Sequence, residues 1–159
     1  MIVHLETLIE APTSQCIAAV MTSALLQHVA SPWLSFEPVA DLEWPARWEP
    51  GPFPVRMKVF GWLPMGVQII DISLPAAPAG SFRLRDNGRS ALIERWDHLI
   101  SIEAVGSRTR YIDRVDIRAG WRTPFVWLFA RGFYAHRQRR WRRLADSGEL
   151  AGFAQVLSS

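Results

Sequence analysis

The stretch Leu92 to Ala119, LIERWDHLISIEAVGSRTRYIDRVDIRA, constrains the fold more than any other part of the chain. It reads as a long β-hairpin closed by Gly106-Ser107. With an even-length loop, Val105 faces Arg108 and opposed residues keep a constant sum, so Trp96 faces Ile117, His98 faces Val115, Ile100 faces Asp113 and Ile102 faces Tyr111. The alternate residues Arg108, Arg110, Arg114, Asp116 and Arg118 are charged, which puts that face in water. His98 and Asp113 then fall on the apolar face. An aspartate and a histidine there form either a buried pair or a polar point inside a cavity.

Elements on either side follow from periodicity. Ile2 to Ile9 alternates as an opening strand and stops at Ala11-Pro12. Ser14 to His28 has helical spacing, broken at Thr22-Ser23 into two short helices. Trp33 to Val39 reads as a strand, and Asp41 to Pro54, DLEWPARWEPGPFP, as a long proline-rich loop carrying Trp44, Trp48 and Phe53. Strands follow at Val55 to Trp62, Val67 to Leu74 and Ser81 to Arg85. After the hairpin, Thr123-Pro124 starts a long helix, with threonine as N-cap and proline in the first turn. Seven strands and three helices, without repeats or an interdomain linker, predict one α+β domain over residues 1–159. The economical packing is a curved seven-stranded antiparallel sheet around the C-terminal helix, with a cavity between the two.

Composition narrows the function classes. Cys16 is the only cysteine, so no internal disulfide forms, and the sequence has no CxxC, HxxxH or HExxH pattern to hold a metal. No glycine-rich phosphate loop follows a strand, and no cofactor is expected. The formal net charge is +3 and Lys58 is the only lysine. Arginines crowd the last helix, where cations suit the negative end of the helix dipole. They occupy all its sides, so a nucleic acid partner is not expected. The N-terminal MIVHLETLIEAP lacks a basic region followed by an apolar run, and Pro124 to Ala130 is too short to span a bilayer, which predicts a cytoplasmic protein.

The order of elements, the opening strand ending in IEAP, the WEPG and FGWLPMG segments, the WDHLISI strand and the terminal FYAHRQRRW helix carry a resemblance. Across nearly its whole length the chain resembles the START-like, or helix-grip (SRPBCC), superfamily. That group includes polyketide cyclases and dehydratases, lipid-transfer domains and plant carriers of hydrophobic ligands. The resemblance implies the helix-grip fold. It implies no particular chemistry, because the superfamily shares no single set of active residues.

The candidate site is read from helix and hairpin together. At about 100° per residue, Phe125, Val126, Phe129, Phe133 and Leu144 share one helix face, and His136, Arg137 and Arg140 fall on it too. Trp127, Arg131, Tyr134, Gln138 and Arg142 fall on the other. Counting back from Gly120 at about 1.5 Å per helical and about 3.3 Å per strand residue, Gly132 lies level with His98, and His136 and Arg137 level with Asp113. Asp113 then has two compatible roles. It pairs with Arg137, Arg140 or His136 as an anchor, or the cluster grips the carboxylate, phenolate or phosphate end of an apolar ligand. His98 is either a hydrogen-bonded core residue or a general base oriented by Asp113 or Glu94. Gly132 marks either open space or close packing. Trp96, Phe82, Phe129, Phe133 and Tyr111 fill the core or line the cavity. Trp44 and Trp48 form a flap or pack against the sheet. The leading expectation is binding or transport of a small hydrophobic or amphipathic molecule in contact with Trp96, His98, Tyr111, Asp113, Phe129, Gly132, Phe133, His136, Arg137 and Arg140. The rival is a cofactor-free cyclase, dehydratase or hydrolase using His98 and Asp113.

Overall fold

The computed structural model describes residues 1–40 and 42–155. Eleven elements occur in the order β1 (Ile2–Ile9), α1 (Thr13–Val20), α2 (Ser23–Ala30), β2 (Leu34–Pro38), β3 (Gly51–Val59), β4 (Leu63–Ser73), β5 (Ser81–Ser90), β6 (Arg95–Val105), β7 (Arg108–Arg118), α3 (Thr123–Asp146) and α4 (Leu150–Gln155). The strands form one seven-stranded antiparallel sheet in the order β1-β7-β6-β5-β4-β3-β2. The two short helices carry the chain from one edge strand to the other, and α3 returns from β7 to pack on β1 and β7.

The hairpin register is the expected one, with Val105 opposite Arg108 and every inward pair as anticipated. Gly106 has φ 63°, the positive value that a type II′ turn requires at its first central position. Burial alternates along β7 as read from its charges. Thr109, Tyr111, Asp113, Val115 and Ile117 are buried, while Arg108, Arg110, Arg114 and Arg118 are exposed.

Several boundaries differ; β3 ends at Val59 rather than Trp62, and β4 begins at Leu63 rather than Val67. β5 continues past Arg85 to Ser90, because Asn87-Gly88, which resembles a turn signal, is held in the ladder opposite Asp97 and Trp96. β3 begins at Gly51 rather than Val55. Pro52 and Pro54 are tolerated because the β2 ladder runs only from Val55 onward and asks no N–H of them; the Pro54 carbonyl still accepts from the Val39 N–H at 3.2 Å. Asp41, the first residue of the proline-rich stretch, lies outside the described residues. Trp48 is buried and packs on Trp44 and Phe53, while its N–H bonds the Met21 carbonyl at 2.7 Å, so this segment is fastened to the core rather than being a flap. Thr123 is the first helical residue, and its hydroxyl accepts from the Ala119 N–H and donates to the Gly120 carbonyl. α4 is an additional short helix beyond the three expected from periodicity.

The core has two apolar clusters. One gathers Trp141, Leu144 and Tyr111 with α1, α2 and α4, and the other gathers Phe133, Ala130, Val115 and Ile117 with the start of β2. The buried face of α3 is Ala130, Phe133, Tyr134, Arg137, Gln138, Trp141 and Leu144. The angular expectation is corrected at Tyr134 and Gln138, which face in rather than away, while Phe125 borders the space under the helix but stays largely in solvent. Phe125 is 70% exposed. Tyr134 and Gln138 turn inward because the sheet presents hydrogen-bond partners there.

Candidate ligand-binding site

Between the sheet and α3 lies a cavity of about 330 Å³, at the lower end of the size of ligand pockets. Leu34, Met57, Ile70, Phe129 and Phe133 make much of its wall apolar. Leu63 and Phe125 line it and are also 42% and 70% exposed, which puts the mouth between the start of β4 and the first turn of α3. The deep end is polar. Asp86, His98 and Arg137 all line the cavity, and Arg137 and His98 are only 5% and 3% exposed.

Strand register assembles this cluster. Asp86 on β5 sits opposite His98 on β6, and Asp113 on β7 lies two residues further along, opposite Ile100. The His98 Nε2 lies 2.7 Å from Asp113 Oδ1. The Tyr111 hydroxyl donates to the same oxygen at 3.1 Å, and Gln138 Nε2 donates to Oδ2 at 2.9 Å. Gln138 also reaches the Leu5 carbonyl at 3.1 Å, tying α3 to β1. Arg137 Nη2 donates to the Tyr111 hydroxyl at 3.3 Å, and Trp96 Nε1 donates to the Tyr134 hydroxyl at 3.0 Å. Among the described residues, Arg137 makes no salt bridge with a carboxylate, and its buried Nε has no partner. The Gln68 Oε1, on another part of the wall, is also unpartnered.

Burial alone would push the Asp113 carboxyl up, but the His98 bond, the nearby Arg137 charge and the Gln138 bond outweigh it and hold the group below its ordinary value. Burial and the Arg137 charge together push His98 down, against the opposing pull of Asp113. The consistent state is therefore an Asp113 carboxylate accepting from a neutral His98 Nε2–H, which leaves Nδ1 as the bare nitrogen. Asp86 is pushed up to about 7, chiefly by burial, although it accepts from the Asp71 N–H at 2.9 Å and feels Arg137. The cavity thus contains a permanent cation, a neutral imidazole and a carboxyl that changes charge near neutrality.

Solved structures share this architecture. The chain is similar to a START superfamily protein from Mycobacterium smegmatis, at 11% identity and a TM-score of 0.57 over 92% of this chain and 97% of that one. The fold is START-like. The AHSA1 protein from Silicibacter pomeroyi is similar at 14% identity and a TM-score of 0.57, over 90% of this chain and 96% of that one. Ara h 8.0201 is similar at 14% identity and a TM-score of 0.57, over 100% of this chain and 99% of that one. No protein-family model and no curated protein sequence matches the chain.

In this START-like frame the anticipated site residues separate into two groups. Trp96, His98, Phe129, Phe133 and Arg137 line the cavity. Tyr111 and Asp113 stand behind His98 and Arg137, fully buried and without cavity surface. Asp113 forms no ion pair with Arg137, Arg140 or His136, because β6 and β7 place His98 and Tyr111 closer to it than any arginine. Arg140 instead donates to His28 Nε2 at 2.9 Å, and His136 bonds the Ser31 carbonyl and stacks on Trp33. Gly132 does not open onto the space before His98. A Cβ there would lie 2.8 Å from Trp33 Cη2, so this glycine lets the Trp33 ring press against α3.

Asp86, Gln68, Tyr134 and Gln138 were missed. Asp86 is legible in principle, since Phe82, Leu84, Asp86 and Gly88 share a parity opposite to Arg83, Arg85 and Arg89, but the expected strand stops one residue short of it at Arg85. Gln68 shares the parity of Ile70 and Ile72 on β4. Tyr134 and Gln138 continue the spacing of Ala130 and Trp141.

Proposed function

We propose that the protein binds or carries a small hydrophobic or amphipathic molecule in the cavity between the sheet and α3, as one cytoplasmic ligand-binding unit of the lipid-transport or polyketide-cyclase type. The observation that supports this most is a mostly apolar cavity with an accessible mouth and a deep polar end. Trp96, His98, Phe129, Phe133 and Arg137 contact the ligand, while Tyr111 and Asp113 position His98 and Arg137 from behind. Among the described residues, no helix is long and apolar enough to cross a membrane. The test is displacement of a neutral apolar fluorescent probe from the wild type and from Val59→Trp, whose new ring enters the cavity from its wall. Binding by the wild type and its loss in a folded Val59→Trp support the reading. Equal binding by both, or none by either, refutes it.

The 2.7 Å contact between His98 and Asp113 favours a second reading, a cofactor-free cyclase, dehydratase or hydrolase. There, neutral His98 takes a proton from the bound molecule while Asp113 holds the resulting imidazolium. Turnover of a bound ligand by the wild type, abolished in His98→Gln with affinity retained, separates catalysis from carriage.

A further inference from the structure

Arg137 is a buried cation that feels the Asp113 charge but, among the described residues, has no carboxylate in direct contact. It is 5% exposed and lines an otherwise apolar cavity. Its single hydrogen bond goes to the Tyr111 hydroxyl, and its buried Nε–H has no acceptor. Asp113 supplies negative charge from behind but makes no hydrogen bond to Arg137; its oxygens accept from His98, Tyr111 and Gln138 instead. Buried guanidinium groups ordinarily have a carboxylate or phosphate within reach, and one held this way has an open position for an acceptor. Asp86 lines the same cavity close enough to feel the Arg137 charge.

We propose that the ligand is an amphipathic monocarboxylic acid, whose carboxylate is held between Arg137 and Asp86 on the polar wall of the cavity while its apolar part extends toward Leu63 and Phe125. This rests on the cavity being a ligand site. A carboxylate offers two oxygens to the two donors, whereas an alcohol offers one, and only the acid brings a negative charge into direct contact with Arg137. The groups around Asp86 are Asp71 from β4, His98 from β6 and Tyr134 and Arg137 from α3, with Asp97 of β6 acting from the outer face of the sheet. Asp97 is engaged by Arg85 and Asp71 by Arg89, so Arg137 is the cation left to act on the cavity side. A bound carboxylate adds a negative charge beside Asp86 and favours its protonated form. Binding above about pH 7 therefore takes up one proton, and affinity falls as pH rises.

The test compares straight-chain fatty acids with alcohols of matched length by probe displacement, in the wild type, Asp86→Asn and Arg137→Gln. The wild type should prefer the acid by roughly tenfold, the factor for one charge-assisted contact. Its affinity for the acid should drop roughly tenfold between about pH 6 and about pH 8, as expected for one proton taken up by a group near 7. Asp86→Asn keeps a donor in place and should bind the acid with no such dependence. Arg137→Gln should bind acid and alcohol alike. If Arg137→Gln does not fold, the wild type and Asp86→Asn still decide the matter. Equal affinity of the wild type for acids and alcohols at both pH values overturns the inference while leaving the cavity a ligand site. Binding of neither, together with failure of the neutral probe, overturns both.

Discussion

Replacing Asp113 with alanine tests whether the buried polar cluster holds α3 to the sheet. The carboxylate is fully buried and accepts from three groups on two strands and a helix. Its removal leaves His98 Nε2–H and the Tyr111 hydroxyl without an acceptor, and strips Arg137 of the nearest negative charge. Gln138 retains only its bond to Leu5. Breaking a buried charged network typically costs about 3 to 5 kcal/mol. At roughly 2 to 4 °C per kcal/mol for a domain of this size, Tm should fall by about 10 °C. Urea unfolding and calorimetry measure both quantities. The pH dependence adds a signature. Asp113 is held below its unfolded value, so its contribution is present above the ordinary carboxylate range and is lost as pH falls through the folded value. The gap between wild type and variant should therefore be widest near neutral pH and close in acid. A loss within about 0.5 kcal/mol at neutral pH, the range of surface substitutions, would refute the reasoning.

Three further outcomes follow from the same geometry. Asp86 is raised to about 7, so its contribution to stability is present below the unfolded carboxylate value and is lost as pH rises from there through about 7. Asp86→Asn, with an amide oxygen still available to the Asp71 N–H, should gain stability over wild type at about pH 8 and match it near about pH 4; a constant difference across that range in thermal melts would contradict it. Gly132→Leu drives a side chain into Trp33 and should destabilise by about 1 to 3 kcal/mol while leaving probe affinity unchanged, since Gly132 does not line the cavity. Weakened probe binding with unchanged stability would restore the open-space reading. Tyr134→Phe removes the acceptor of Trp96 Nε1 and should cost about 1 kcal/mol, detectable as a shift in the urea midpoint.

The architecture was legible because its signals are periodic. Charge alternation from Arg108 to Arg118 fixes which face of β7 is wet, and the Gly106-Ser107 turn fixes the register that sets His98 beside Asp113. Side-chain partnership across elements was much less legible. Equal depth along α3 and β7 suggested an Asp113–Arg137 pair, but whether atoms touch depends on rotation about the helix axis, and Gln138 rather than an arginine reaches the carboxylate. Gly132 shows the same limit, since its neighbour Trp33 comes from the segment before β2, a hundred residues away in the chain. Asp86 lies just past the expected strand end at Arg85, and only pairing with β6 carries β5 through Asn87-Gly88 and turns the carboxyl inward.

Native mass spectrometry tests the central claim most directly, with the wild type and Val59→Trp each incubated with a total cell extract and gently desalted. The account predicts a discrete small-molecule adduct on the wild type, displaced by a fatty acid and absent from the filled-cavity variant. A wild type that takes up nothing, or a variant that retains the same adduct, would contradict a binding site between the sheet and α3.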